Sequence, residues 1–545
     1  MEELVRTTVG DLVDRVASRF PDREALVDIP AGRRYTYREL VRTVDALAGG
    51  LLKIGVERGE HLALWTPNLA EYIITEFAAA KIGAVLVSVD PNARPEQLEY
   101  LLRQSDSQTL VLPGGEGSLQ LETFRRLCPE AGNPGTGGQP CAALPELKRL
   151  IVIAGRPLPG MIAWEDLREA GRDLPAGRLA ERQAACRPDD VVTLLYTSGT
   201  TGAPKGVMST HFGIINTTLA SARNQRLTAE DRLCLSVPLA HMFGCVCVTL
   251  AAAATGAAVV IPAPAFDAPK VLAAIAAERC TALYGSPASF IALMEAPDYR
   301  RFDLRSLRTG IMGGAQCPLE VMKRVVEEMG VREIVIGYGQ TEASSWVTMT
   351  RPDDPLELRV STVGRPLANV AVKLIDPATG REVSTGEAGE VCVRGLNMKG
   401  YYKMPAATAA AIDAQGWLHT GDLATMDRDG YVRTTGRLKE AILRGGETIY
   451  PAEVEEVLFS HPQISHVQVF GVPDRAAGEE IAAWIKLEEG ASATEEELRR
   501  FCRENLPERH QPRYIKFVTE FPMTPLGKVQ KFRLREMAIE EYGLA

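Results

Sequence analysis

Tyr196-Thr197-Ser198-Gly199-Thr200-Thr201-Gly202-Ala203-Pro204-Lys205-Gly206 follows directly on Val191-Val192-Thr193-Leu194-Leu195. The apolar run predicts a short buried strand, after which the chain breaks into hydroxyls, glycines and one lysine. Glycines let successive backbone N–H groups turn toward one point, the Ser and Thr hydroxyls add donors there, and Lys205 adds a positive charge. A concave nest of this kind suits a polyphosphate. The common nucleotide loop has Gly directly before Lys and Ser or Thr after it, whereas Lys205 lies between Pro204 and Gly206. A Gly/Thr-rich surface loop is the bland alternative. Downstream, Val207 to Ala222 is expected to be a helix.

Upstream, helical and strand patterns alternate. Val9 to Phe20 has helical apolar spacing, and Ala25 to Asp28 is a short strand. Thr36, with Glu39 three residues on, forms a capping box that opens a helix. His61 to Trp65 and Val85 to Val87 are strands flanking a helix over Ala70 to Lys81. This alternation predicts an α/β class built of layered subdomains with largely parallel sheets. Leu112 to Leu147, rich in glycine and proline, is expected to be an irregular surface excursion before a strand at Leu150 to Ile153.

At 545 residues the chain is too long for one core, so at least two domains are expected. A net charge of −9 gives no general attraction to nucleic acid or to an anionic membrane. The ten cysteines contain no C-x-x-C pair and predict reduced core thiols in a cytoplasmic protein, and the seven histidines show no zinc spacing. The N-terminal residues lack a basic region followed by an apolar core, so no signal peptide is expected. Gly244 to Ile261 carries no charge and invites comparison with a membrane span. Thr255-Gly256 divides it, and the expectation is a buried helix followed by the strand Ala257 to Ile261, with no stable membrane insertion.

Further motifs stand at strand ends, where sites form on α/β sheets. Leu233 to Val237 leads into Pro238-Leu239-Ala240-His241-Met242-Phe243-Gly244. Ile311-Met312 ends in Gly313-Gly314-Ala315, and Ile334 to Ile336 runs into Gly337-Tyr338-Gly339-Gln340-Thr341-Glu342. From Ala371 to Arg394 the pattern alternates strictly, predicting a small antiparallel sheet or barrel-like subdomain. Trp417-Leu418-His419-Thr420-Gly421-Asp422 comes next, then Gly436-Arg437-Leu438-Lys439-Glu440, Arg444-Gly445-Gly446-Glu447 and Pro525-Leu526-Gly527-Lys528.

Taken in order, these motifs resemble the acyl-adenylate-forming superfamily over roughly Leu12 to Arg535, most closely its medium-chain acyl-CoA synthetases. The resemblance implies a large N-terminal domain, residues 1–436, and a small mobile α+β domain, residues 437–545. It makes Thr197, Ser198, Gly199, Thr200, Thr201, Gly202 and Lys205 the phosphate loop. Gly313, Gly314 and Ala315 line adenine, Tyr338 stacks on it, and Gly339 belongs to the same nucleotide site. Thr341 contacts the α-phosphate, Glu342 holds Mg2+, Asp422 takes the ribose hydroxyls and Arg437 contacts ribose or phosphate. His241 stands at the mouth of the acyl pocket. Lys439 is the pivot, Gly445, Gly446 and Glu447 form the loop used for thioester formation, and Lys528 is the catalytic lysine. Three departures occur: Glu440 where Asp is usual, Thr448 where Asn is usual, and Leu526 in place of a small hydroxyl residue.

The implied substrates are ATP, CoA and a small carboxylic acid, with no nucleic acid partner; a homo-oligomer is left open. The alternatives are an aryl-acid CoA ligase, an adenylating enzyme loading a separate carrier protein, and an acyl-AMP-binding protein without turnover. The ten Lys/Arg against three Asp/Glu between Arg499 and Arg535 offer either a solvated face or a site for the CoA phosphates.

Overall fold

Val191–Thr197 is a strand, as its apolar run requires, but the helix expected from Val207 starts later. Lys205–Thr210 is a second strand antiparallel to the first, with Thr197 opposite Lys205 and Tyr196 opposite Gly206. Val207 and Ser209 are buried while Met208 and Thr210 are half-buried, which is the period of two that a strand imposes. Thr210 then caps the helix His211–Asn224 by accepting from the Gly213 N–H. These features come from a computed structural model, which describes residues 3–115, 117–131, 141–175, 177–197, 203–315, 317–488, 490–523 and 529–544.

The two strands close one edge of a seven-stranded sheet. Its order is Ile162–Ala163, Arg149–Ile153, Thr109–Pro113, His61–Leu64, Val85–Ser88, Val191–Thr197, Lys205–Thr210, parallel throughout except at that last pair. A nine-stranded sheet is parallel at its centre, through Glu24–Asp28, Ala258–Ile261, Arg232–Cys234, Ala282–Gly285, Thr309–Gly313 and Glu333–Gln340. The expected N-terminal elements form: helices Val9–Arg19, Tyr37–Lys53 with its Thr36/Glu39 capping box, and Ala70–Ile82, buried along its whole length. Lys81 is buried at the end of that last helix and is ion-paired to Asp14 and Asp45.

The excursion before Arg149–Ile153 is more ordered than its composition suggests, since Ser118 caps a helix over Leu119–Leu127. Cys128 and Cys141 are joined by a disulfide, which corrects the expectation of ten reduced thiols; the other eight cysteines are free and buried. Their thirteen-residue separation is invisible to a search for C-x-x-C. The uncharged run beginning at Gly244 folds as a π-helical turn Cys245–Leu250, a short helix Ala251–Thr255 and the strand Ala258–Ile261. Among the described residues no helix is long and apolar enough to cross a membrane.

Packing divides the chain into two units, Met1–Ala371 with Val393–Leu418, and Val372–Cys392 with His419–Ala545. The alternating region is a four-stranded sheet, Ala371–Ile375, Gly389–Arg394, Leu418–Met426 and Val432–Arg437, so most of it groups with the C-terminal residues. The second unit also holds a five-stranded sheet whose longest pair is Ile464–Asp474 with Gly478–Leu487. Its core includes Ile442, Ile449, Val454, Leu458, Val469 and Ile485. The molecule is thus an α/β fold with a large N-terminal and a small C-terminal part.

Candidate active site

In the first unit, three expected residues from two distant stretches converge. Glu342 lies in a single helical turn, Thr341–Ala343, at the end of the strand Glu333–Gln340. Its Oε1 accepts from Thr197 Oγ1 at 3.4 Å and from the Tyr401 phenol at 2.9 Å. The Lys205 ammonium lies 4.9 Å from the centre of the Tyr401 ring. A carboxylate and an ammonium thus stand at the two ends of the Gly/Thr stretch; Ser198, Gly199, Thr200, Thr201 and Gly202 lie outside the described residues. Burial, followed by the neighbouring Glu342 carboxylate, raises the Tyr401 phenol far above its ordinary range, so it remains a donor at neutral pH.

The strand Glu333–Gln340 continues through Tyr338 and Gly339, pairing antiparallel with Ser345–Met349, so this motif lies on the strand and not after it. A Cβ at Gly339 would sit 1.8 Å from the Ser345 carbonyl oxygen, so only glycine permits that pairing. Ser344 and Ser345 follow with φ of 57° and 115°, strained values for residues with a side chain, beside the buried Thr341. Gly313 and Gly337 lie side by side, and the Trp346 ring covers both: a Cβ at Gly337 would approach it to 2.8 Å. Among the described residues no atom lies within 4 Å of a Cβ built at Gly314. Ala315 directly follows.

His241 caps the turn Met242–Gly244, its Nδ1 accepting from the Phe243 N–H at 3.0 Å. The neutral ring therefore carries its proton on Nε2. Asn68 braces the same loop, donating to the Val237 carbonyl at 3.1 Å and accepting from the Leu239 N–H at 2.8 Å. Phe243 stands edge-on to Trp346 at 5.4 Å, so Trp346 links the His241 loop to the Gly313/Gly337 strands.

In the second unit Asp422 and Arg437 are opposite each other on antiparallel strands, Arg437 Nε lying 2.8 Å from Asp422 Oδ1. The buried Asp422 is held by its turn. Its N–H donates to Thr420 Oγ1 at 3.1 Å, Thr420 donates to the Val391 carbonyl, and the Gly421 N–H donates to Glu390 Oε1 at 3.0 Å. Glu390 Oε2 is 2.9 Å from His419 Nδ1, with Cys392 Sγ 3.7 Å from the same nitrogen. Glu, Cys and His at this spacing resemble a metal-ligand set that no sequence spacing announced. Both Glu390 oxygens are already engaged, so the cluster braces the turn that carries Asp422.

Gly445 and Gly446, with φ of 59° and 84°, make the two-residue turn between Ile442–Arg444 and Glu447–Ile449 that two positive φ values require. Arg444 anchors that hairpin to Glu480 at 3.0 Å and to the carbonyls of Arg509 and Gln511, and Glu447 is ion-paired to Arg509 at 2.8 Å. Lys439 lies in the adjoining turn Leu438–Glu440. Lys531 pairs with Glu455 and Glu440 at 2.8 and 3.4 Å; burial would depress it, but the two carboxylates outweigh burial and raise it. Lys528 lies outside the described residues. Arg499, Arg503, Arg509, Arg513, Lys516 and Arg535 are each ion-paired, so much of the basic region is internally neutralised.

Comparison with known proteins bears on these motifs. Residues 13–402 match the family model described as AMP-binding enzyme, and residues 453–528 match that of the AMP-binding enzyme C-terminal domain. The chain belongs to the AMP-binding enzyme family. Among its members, the chain is 46% identical to the putative acyl-CoA synthetase YngI of Bacillus subtilis over 100% of both chains. It is 38% identical to the mitochondrial medium-chain acyl-CoA ligase ACSF2 of Danio rerio, over 99% of this chain and 90% of that one. The anthranilate CoA ligase AuaEII, solved with anthranoyl-AMP, superposes with a TM-score of 0.85 at 28% identity over 100% of both chains. ATP-bound MatB from Rhodopseudomonas palustris gives 0.82 at 25% identity, over 98% of this chain and 99% of that one.

Set against this AMP-binding enzyme's motifs, sequence reasoning missed Tyr401, Trp346 and Glu390. Tyr401 matters through Glu342 and Lys205, Trp346 through Phe243 and Gly313, and Glu390 through His419 and Gly421, partners that lie on other elements and that no local motif contains.

Proposed function

We propose that the chain is an AMP-forming acyl-CoA synthetase acting on a medium-chain fatty acid. The observation that carries the reading is the convergence of Glu342, Thr197 and Lys205 at the ends of one phosphate-binding stretch. A carboxylate is a weak nucleophile, and joining it to ATP brings two anions together. In the first step a carboxylate oxygen bonds to the α-phosphorus and the bond to the β-phosphate breaks, leaving an acyl-AMP and pyrophosphate. In the second the CoA thiol attacks the acyl carbonyl, its proton is lost and AMP leaves.

Lys205 and the Gly/Thr stretch bind the phosphates, Asp422 and Arg437 orient the ribose, and Lys528 bridges the carboxylate and the α-phosphate. Glu342 suits a hard divalent cation: Oε1 is held by two hydroxyls, and among the described residues Oε2 accepts no hydrogen bond. Mg2+ held there would neutralise phosphate charge. We further place the functional boundary at Gly436/Arg437, with Lys439 as pivot and the Gly445–Glu447 turn serving the thioester step. A cytoplasmic setting suits the eight free thiols, and the Cys128–Cys141 bridge is the observation against it.

An aryl acid is the second reading, favoured by the likeness to a ligase solved with anthranoyl-AMP. Pyrophosphate release measured across short, medium and aryl carboxylic acids, with AMP release compared between free CoA and a carrier protein, tests both. Highest kcat/KM with a medium-chain acid and CoA is expected; no pyrophosphate from any acid would end the proposal.

A further inference from the structure

We propose that Tyr401 is a positioning residue that ties the phosphate-loop lysine to the metal-binding carboxylate, setting both the metal requirement and nucleotide binding. This rests on the reading of Glu342 as the metal ligand.

Tyr401 makes two kinds of contact at once. Its phenol donates to Glu342 Oε1 at 2.9 Å, and its ring face lies 4.9 Å from the Lys205 ammonium. A hydrogen bond to one carboxylate oxygen fixes the plane of the group and turns the other oxygen toward a cation. An ammonium over an aromatic face is held without losing its charge. The backbone around Tyr401 is stitched to the same two elements. The Met398 N–H donates to the Glu342 carbonyl at 2.7 Å, the Lys399 N–H to the Met208 carbonyl at 2.8 Å, and the Tyr402 N–H to the Gly206 carbonyl at 2.8 Å. Tyr401 also bridges Val207 in antiparallel fashion, and it is buried. The segment from Met398 to Tyr402 is thus a clasp across the strand bearing Lys205 and the turn bearing Glu342, and Tyr401 is its one side chain that reaches both.

Two substitutions separate the contacts. Tyr401→Phe keeps the ring beneath Lys205 and removes the phenol; Tyr401→Leu removes both. The probe is an ATP analogue with a methylene between the α- and β-phosphorus, the bond that adenylation breaks, titrated calorimetrically with and without Mn2+. In the unaltered enzyme Mn2+ should tighten analogue binding. Tyr401→Phe should reduce that gain by about 10- to 100-fold, the range for loss of a partner behind a metal ligand, and leave metal-free binding close to the starting value. Tyr401→Leu should in addition weaken metal-free binding, because Lys205 loses its support; a merely structural role would weaken both measurements alike in both variants. Glu342→Gln is the control for the underlying reading and should lose the Mn2+ gain altogether. A Tyr401→Phe enzyme that keeps the full gain while Glu342→Gln loses it overturns the role of Tyr401 and leaves the metal site standing. Retention of the gain in Glu342→Gln overturns the metal site itself.

Discussion

His211 should make the first unit sensitive to mild acid. Its ring is buried, its Nδ1 accepts from the Val9 N–H at 3.1 Å, and burial lowers its pKa from 6.5 to about 4 against the pull of Asp190 and Asp11. A proton on Nδ1 would also abolish its ability to accept. Between those two values the unfolded chain binds a proton that the folded chain does not, so stability is full above about pH 6.5 and falls as the pH drops toward 4. Integrated from about pH 8 to about pH 5, that difference is about 2 kcal/mol. His211→Asn retains an acceptor for Val9 and removes the titration, and any packing loss from the smaller side chain is the same at every pH. Urea unfolding followed by tryptophan fluorescence, at both pH values for both proteins, isolates the effect as a double difference. The variant should lose about 2 kcal/mol less than the unaltered protein on acidification. Parallel losses in the two proteins would refute the reasoning.

Other outcomes follow from the site. Lys528→Ala should stop acyl-AMP formation, measured by pyrophosphate release, while thioester formation from supplied acyl-AMP continues; equal loss in both steps counts against two alternating arrangements. Asp422→Ala removes the carboxylate paired with Arg437 and should raise the KM for ATP by about 10- to 100-fold, as loss of charge-assisted hydrogen bonds does, and steady-state kinetics at saturating acid would show it. Gly339→Ala forces a methyl against the Ser345 carbonyl and should lower stability by about 2 kcal/mol and reduce adenylation, read by thermal denaturation and pyrophosphate release. Alkylation of the unfolded protein followed by mass spectrometry should label eight thiols before reduction and ten after it.

Much of the fold could be read along the chain, because its cues are local. Thr36 and Glu39 announce a capping box within four residues, and the apolar runs at His61, Val85 and Val191 are buried strands whatever surrounds them. Lys205–Thr210 misled because a short segment with mixed spacing satisfies a helix or a strand, and only the partner strand Val191–Thr197 decides between them. The same holds for Gly337-Tyr338-Gly339, drawn into a strand by Ser345–Met349.

What the sequence alone determined is the chemical inventory: a loop of glycines and hydroxyls with one lysine, a carboxylate after Tyr-Gly, and a Thr-Gly-Asp turn. Each is complete within about ten residues. Tertiary structure alone decided which of these groups meet: that Tyr401 joins Glu342 to Lys205, that Trp346 spans the His241 loop and the Gly313 strand, that Glu390 props the turn of Asp422, and that Cys128 finds Cys141. The reason is physical. A motif is recorded in bonded neighbours, whereas a hydrogen bond or a ring contact depends on where two separate strands come to lie, and that is fixed only when the whole core packs.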